Sequence, residues 1–195
     1  MIAIVDSGGA NISSVIFAIE RLNKPYQFTA DPDVIAKASH VILPGVGAAG
    51  AAMKILESRG LPECLRSLSQ PVMGICLGMQ LLFEWSAEGA VDLLGLLPAR
   101  VEKFEVENLP VPHMGWNTLD IARAGNPLLK GLPEKTYAYF VHSYYAPVGD
   151  YTVARTEYGA PFSAVVNSDN IFGCQFHPER SGKDGATIIK NFTEL

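Results

Sequence analysis

The stretch PVMGICLGMQLLF, from Pro71 to Phe83, reads as a buried strand that ends at Cys76 and passes straight into a helix. Pro71 to Ile75 is a short apolar run, and Leu77 to Trp85 carries helical spacing. Gly74 and Gly78 stand two residues either side of Cys76. This is the Gly-x-nucleophile-x-Gly pattern of a nucleophile elbow, whose turn is so tight that flanking side chains would collide. The nucleophile is held in a strained backbone conformation, with its sulfur at a helix N-terminus where the dipole favours thiolate. A core cysteine between two packing glycines is the plainer alternative. Cys64 and Cys174 lack the elbow context and read as small core residues.

Upstream of this turn, strand and helix alternate. Ile2 to Val5 is a short strand, followed by the turn-like Asp6-Ser7-Gly8-Gly9. Asn11 is the expected N-cap of a helix with Ile12, Val15, Ile16, Ile19 and Leu22 at helical spacing, which Pro25 limits. His40 to Leu43 is the next strand. A helix with Met53 and Leu56 inward follows, then a second over Leu61 to Leu68. Such alternation predicts a parallel sheet covered on both faces. Downstream, Ala99 to Phe104, Val111 to Ile121, Thr136 to Ala146, Tyr151 to Thr156, Ala164 to Ser168 and Ile171 to Phe176 read as strands. Their spacing is too tight for helical crossovers, so antiparallel pairing is expected. Asp184 to Leu195 closes with an amphipathic helix carrying Ile188, Ile189 and Phe192. The fold class is therefore α/β: a mostly parallel central sheet flanked by helices, with an antiparallel β extension in the C-terminal half. Residues 1–195 are read as a single domain.

Composition bounds the function. The 195 residues are 48% hydrophobic and 18% charged, enough apolar side chain for a substantial core. A net charge of −5 and no Lys/Arg run argue against a nucleic-acid partner. No stretch approaches the roughly 18 apolar residues that would cross a membrane, and the apolar N-terminus stops at Asp6, too soon for a signal segment. Three cysteines without paired spacing suit a reducing cytoplasm.

A cysteine nucleophile needs a base. In CQFHPE, Cys174 to Glu179, His177 and Glu179 are two apart and would project from the same side of extended chain. Pro178 pushes His177 toward that conformation. Glu179 can then orient the imidazole while His177 faces the thiol, the logic of a nucleophile–base–orienter triad. His40, His113 and His142 have no comparable setting.

VILPGVGAAGAAMKIL, Val41 to Leu56, contains G-x-G-x-x-G at Gly45, Gly47 and Gly50. A dinucleotide fingerprint also requires an acidic residue roughly 20 residues on, near the end of the next strand. That strand ends at Cys76, so cofactor binding is not expected. No metal-ligand cluster is legible either, and the expected cofactor is none.

With GICLGMQLLF and the downstream HPE, the chain resembles the class I (triad) glutamine amidotransferases over nearly its whole length, Asp6 to Ser181. PGVG (Pro44 to Gly47), HMGWN (His113 to Asn117) and FVHSYY (Phe140 to Tyr145) narrow the resemblance to the glutaminase subunits of imidazole glycerol phosphate synthase. The resemblance implies a triad of Cys76, His177 and Glu179 and a fold like the one described. Acyl-transfer chemistry on the amide of glutamine gives the glycine loop a role. The tetrahedral oxyanion needs backbone N–H donors, expected from Leu77, directly after the nucleophile, and from Val46, flanked by Gly45 and Gly47. In the family this second peptide is thought to flip between orientations.

Gln80, Glu84 and Glu88 lie four apart and would share one face of the elbow helix. By resemblance, Gln80 and Glu88 hold the amino-acid end of L-glutamine, with Ser143 and Tyr144 at its carboxylate; Glu84 reads as solvated. The resemblance also implies a partner, the (β/α)8-barrel cyclase subunit, which would form a heterodimer and receive ammonia directly. Met114, Trp116, Asn117, Tyr139 and Arg180 are the expected docking residues, of types enriched at interfaces except for the asparagine. For Trp116, ordinary core packing is the rival reading. Two segments depart from the family pattern, Ser7-Gly8-Gly9-Ala10 and Ala48-Ala49-Gly50, and Arg180 stands where lysine is usual. A glutaminase of another biosynthetic synthase, a non-catalytic regulatory paralogue and an unrelated cysteine peptidase are the alternatives.

Overall fold

A computed structural model of the chain describes residues 1–8 and 12–195, so the expected cap at Asn11 lies outside the described residues. The first half contains β1 (Ile2–Val5), α1 (Ser13–Arg21), β2 (Tyr26–Thr29), α2 (Pro32–Lys37), β3 (His40–Gly45), α3 (Ala49–Ser58), α4 (Leu61–Arg66), β4 (Val72–Cys76) and α5 (Leu77–Gln80). The second contains β5 (Trp85–Ser86), β6 (Val91–Asp92), β7 (Arg100–Lys103), β8 (His113–Ile121), β9 (Thr136–His142), β10 (Tyr144–Tyr145), β11 (Thr152–Tyr158), β12 (Ala160–Ser168), β13 (Ile171–Cys174) and α6 (Gly182–Phe192). Among the described residues, no helix is long and apolar enough to cross a membrane.

Side chains along β1 alternate between two cores, because successive residues of a strand point to opposite faces. Ile2 and Ile4, with Ile42 of β3, pack under α1 and α6 through Val15, Ile19, Ile188, Ile189 and Phe192. Ala3 and Val5, with Val41 and Leu43, pack under α2, α3 and α4 through Ile35, Met53, Leu56, Leu61 and Leu65. Burying each Ile, Leu or Phe contributes roughly 1.5–3 kcal/mol, so both helical layers are fixed by strands that are apolar on both faces.

Among the described residues, nine strands form one sheet in the order β2-β1-β3-β4-β13-β12-β11-β8-β9. The five from β2 to β13 are parallel, and from β12 onward each neighbour is antiparallel. The expected mixed architecture is thus observed, and the sheet takes strands from both halves of the chain. A second, four-stranded sheet, β10-β7-β5-β6, lies apart. The expected strand over Thr136–Ala146 is two strands: β9 pairs with β8, the chain breaks at Ser143, and β10 pairs with β7 of the small sheet.

The helix expected over Leu77–Trp85 is one turn long and ends at Gln80. Leu81, Leu82 and Phe83 are all fully buried, so the chain runs through the interior where a one-faced helix would have left one of them outside. Its carbonyls are satisfied by a facing segment: Leu81, Phe83 and Glu84 accept from the N–H groups of Leu94, Gly95 and Leu93, and Leu82 accepts from Leu96 and Leu97. Gln80, Glu84 and Glu88 therefore do not share a helix face.

Candidate active site

Cys76 sits at the junction of β4 and α5 with φ +54° and ψ −113°, a conformation that costs a non-glycine residue of order 1–3 kcal/mol. The packing around the turn holds it there. A side chain on Gly74 would come within 2.5 Å of the Gly78 carbonyl oxygen. One on Gly78 would overlap the Leu43 carbonyl oxygen of β3. Backbone atoms block both positions, so the glycines are steric requirements. Gly45 pairs with Cys76 across the β3–β4 ladder, and its own β-carbon would meet the Gly78 nitrogen at 2.5 Å. Gly50, the third glycine of G-x-G-x-x-G, has open space around it and packs nothing closely.

His177 comes to the same place from the end of the sheet. It follows the β13 segment and has extended φ −96°, ψ 95°, as Pro178 requires. A 3₁₀ turn, Pro178–Arg180, then folds Glu179 back. Glu179 Oε1 and His177 Nδ1 are 2.8 Å apart. The turn, not extended chain, creates that pairing, which corrects the sequence expectation. The His177 N–H donates to the Tyr139 carbonyl at 3.0 Å. The Ser181 hydroxyl donates to the His177 carbonyl at 2.7 Å and accepts the Tyr139 N–H at 3.0 Å. Ser181 was not singled out from sequence; a serine after a 3₁₀ turn carries no distinctive signal.

The side chains of His177 and Glu179 are 13% and 5% exposed. Burial alone would lower the imidazole pKa. Hydrogen bonds to Cys76 and Glu179, together with their negative charges, outweigh it and hold the pKa up at about 10. With Glu179 on Nδ1, Nε2 is the ring nitrogen left to serve Cys76, which lines the same cavity. Cys76, His177 and Glu179 can therefore exchange a proton and sustain a thiolate–imidazolium pair.

Cys76 opens into a cavity of about 350 Å³ lined also by Val46, Gly47, Leu77, Gln80, Glu88, Ser143, Tyr144 and His177. The wall of this cavity thus holds every expected substrate residue and the two residues expected to supply the oxyanion donors, whereas Gly45 does not line it. Gly47 has φ +93°, a conformation that suits glycine. Glu88 reaches the cavity from the β5–β6 turn, where its N–H donates to Ser86 Oγ at 3.1 Å. Its Oε2 accepts the Ala49 N–H at 2.8 Å, so it caps α3, whose N-cap residue Ala48 has no side-chain acceptor. Glu84 is exposed.

Gln80, almost fully buried, donates from Nε2 to the Tyr144 carbonyl at 2.8 Å and to Gln175 Oε1 at 2.9 Å. The same Tyr144 carbonyl accepts from His142 Nδ1 at 2.8 Å. His142 Nε2 lies 3.1 Å from His113 Nδ1, and His113 Nε2 lies 3.3 Å from Asn117 Nδ2. Burial lowers the His113 pKa to about 4. Burial, against the Tyr144 hydrogen bond, lowers that of His142 to about 3. Both imidazoles are neutral near pH 7, acting as spacers that fix the Tyr144 backbone.

On the far side of β8, Met114 is 62% and Trp116 57% exposed. Core packing does not explain Trp116. Its ring stacks edge-on against Tyr139 at 5.9 Å, and the Arg180 guanidinium lies 4.7 Å over Tyr139. Asn117 points to the opposite face of β8, toward His113 and the Glu157 carbonyl, so its side chain does not join this patch.

Comparison with known proteins identifies the family of the whole chain. Residues 3–195 match the family described as glutamine amidotransferase class-I. The chain is 51% identical over 200 residues to the imidazole glycerol phosphate synthase subunit HisH of Vibrio parahaemolyticus serotype O3:K6, covering 100% of this chain and 98% of the other. It is 50% identical over 195 residues to the HisH subunit of Yersinia pestis, covering 100% and 99%. Among solved structures, a glutamine amidotransferase superposes with TM-score 0.76 at 18% identity, covering 99% and 97% of the two chains. The PurLQS structure from Thermotoga maritima gives 0.69 at 21%, covering 99% and 97%. At that identity, these two likenesses speak for the fold.

Proposed function

The chain belongs to the class-I glutamine amidotransferase family, and from that premise we propose how its residues perform the reaction. It is a glutamine amidotransferase, the glutaminase subunit of an imidazole glycerol phosphate synthase in histidine biosynthesis, as its full-length identity of about one half to HisH subunits supports. We read residues 1–195 as one glutaminase domain working in the cytoplasm.

In this reading the Cys76 thiolate attacks the side-chain amide of glutamine. Negative charge develops on the amide oxygen, and the N–H groups of Leu77 and Val46 receive it. His177 passes its Nε2 proton to the departing ammonia as the C–N bond breaks. The product at this stage is a glutamyl thioester on Cys76. A water, deprotonated by the now neutral His177, adds to the thioester; glutamate leaves, and the proton restores the imidazolium–thiolate pair. Glu179 keeps Nδ1 protonated throughout and stabilises each charged form of the ring. Gln80 and the free oxygen of Glu88 hold the α-ammonium, while Ser143 and Tyr144 meet the α-carboxylate.

The observation that carries this reading is that Cys76 and His177 line one cavity with Gln80 in its wall, while Glu179 stands on His177 Nδ1. Ammonia released to bulk water would be protonated and lost. We therefore propose a cyclase subunit docked on the Met114, Trp116, Tyr139 and Arg180 face, which receives ammonia directly. The test is ammonia production from glutamine with and without the coexpressed cyclase and its ligand. The proposal expects slow hydrolysis alone and a large gain in the complex. Full activity of the isolated chain would reject obligate coupling.

A further inference from the structure

Gln175 is completely buried in an otherwise apolar strand end, between Cys174 and Phe176. Burying an amide costs about 1–3 kcal/mol unless its groups are bonded, so an apolar residue would be cheaper for packing alone. The bonds it makes point at the site. The Tyr144 carbonyl can only accept, which obliges Gln80 to present its NH2 group there. That NH2 also reaches Gln175, which must therefore present Oε1. The remaining Gln175 Nε2 then lies 4.0 Å from Cys76 Sγ. One acceptor, the Tyr144 backbone, thus sets the orientation of two amides in series.

We propose that Gln175 is a positioning residue of the glutaminase site. Its carbonyl locks the Gln80 amide with Oε1 toward the substrate, and its N–H supports the Cys76 sulfur as thiolate. The neutral thiol has another partner, the Val141 carbonyl at 3.7 Å. Ionisation exchanges that acceptor for the Gln175 and His177 donors. The proposal rests on Cys76 being the nucleophile.

The test uses the full chain and iodoacetamide, following alkylation of the Cys76 peptide against pH by mass spectrometry. Gln175→Met removes both hydrogen-bonding groups at similar length. It should move the alkylation midpoint upward by about one pH unit and raise KM for glutamine roughly three- to tenfold in the complex. An unmoved midpoint in a Gln175→Met chain with wild-type circular dichroism overturns the proposal. A second measurement needs no variant. In the wild-type chain labelled with nitrogen-15, the Gln175 side-chain NH2 resonances should titrate with the alkylation midpoint, and should not do so in Cys76→Ser. Resonances that ignore the thiol titration overturn the proposal too. Glutamine hydrolysis that survives Cys76→Ala would instead refute the nucleophile reading beneath it.

Discussion

Replacing Glu179 with Gln removes one charge from a site where nearly every other atom can stay in place. The carboxylate is 5% exposed and lies 2.8 Å from His177 Nδ1. Its hydrogen bond and charge help hold the imidazole pKa up at about 10 against the downward pull of burial. A charge-assisted hydrogen bond of this kind is worth about 1.5–3 kcal/mol, equivalent to roughly a 10- to 100-fold fall in kcat for glutamine hydrolysis. The amide can also donate to Nδ1 and so favour the wrong tautomer, which adds to the loss. Two pH effects follow. In the native enzyme, the raised histidine pKa means that this interaction stabilises the fold below about pH 6.5 and is lost as pH rises through about 10. The melting temperature of Glu179→Gln should therefore lie furthest below the native value near pH 6 and converge on it near pH 10. The alkaline limb of kcat should move to lower pH, because the imidazolium loses its proton sooner. Glutaminase assays of the cyclase complex between pH 6 and 10, with calorimetry of the isolated chain, measure both. Unchanged kcat and an unmoved alkaline limb would refute the orienting role of Glu179.

Two further substitutions test the scaffold and the docking face. Gly78→Ala places a methyl group against the Leu43 carbonyl oxygen, where neither backbone can yield cheaply. It should destabilise by about 3 kcal/mol and lower Tm by roughly 6–12 °C; a melt within 2 °C of native, where that same principle would require more, refutes the steric account. Trp116→Ala should leave the isolated chain within about 0.5 kcal/mol of native stability, because the ring is 57% exposed. It should weaken cyclase binding by about 2 kcal/mol, near 30-fold in Kd; calorimetric titration showing native affinity removes Trp116 from the interface.

The parallel half of the fold was legible because β1 and β3 are apolar on both faces, and the elbow was legible because Gly-x-Cys-x-Gly at a strand end has few uses. Tyr26–Thr29 was missed because the strand is at the sheet edge and only half-buried, with no continuous apolar run. Pro32–Lys37 was missed as well, although its start was readable: the Asp31 side chain accepts the Asp33 N–H and Pro32 opens the helix. The short helix at Leu77–Gln80 was over-extended because LLF fits a buried helix as well as a buried loop. Only the facing Leu93–Leu97 segment, remote in sequence, decides between them. The same remoteness hid Gln175. A glutamine between Cys174 and Phe176 gains meaning only when Gln80 and Cys76, on other elements, stand against it. Conversely, Gln80 and Glu88 reached the cavity although the shared helix face invoked for them does not exist. Their spacing was a coincidence, and Glu88 arrives by a separate turn.

The most direct test is to add glutamine to the complex, quench in acid within one turnover and map the chain by mass spectrometry. The mechanism predicts a hydroxylamine-sensitive glutamyl adduct on the peptide containing Cys76, with neither adduct nor hydrolysis in Cys76→Ala. Steady ammonia release from that variant would contradict it.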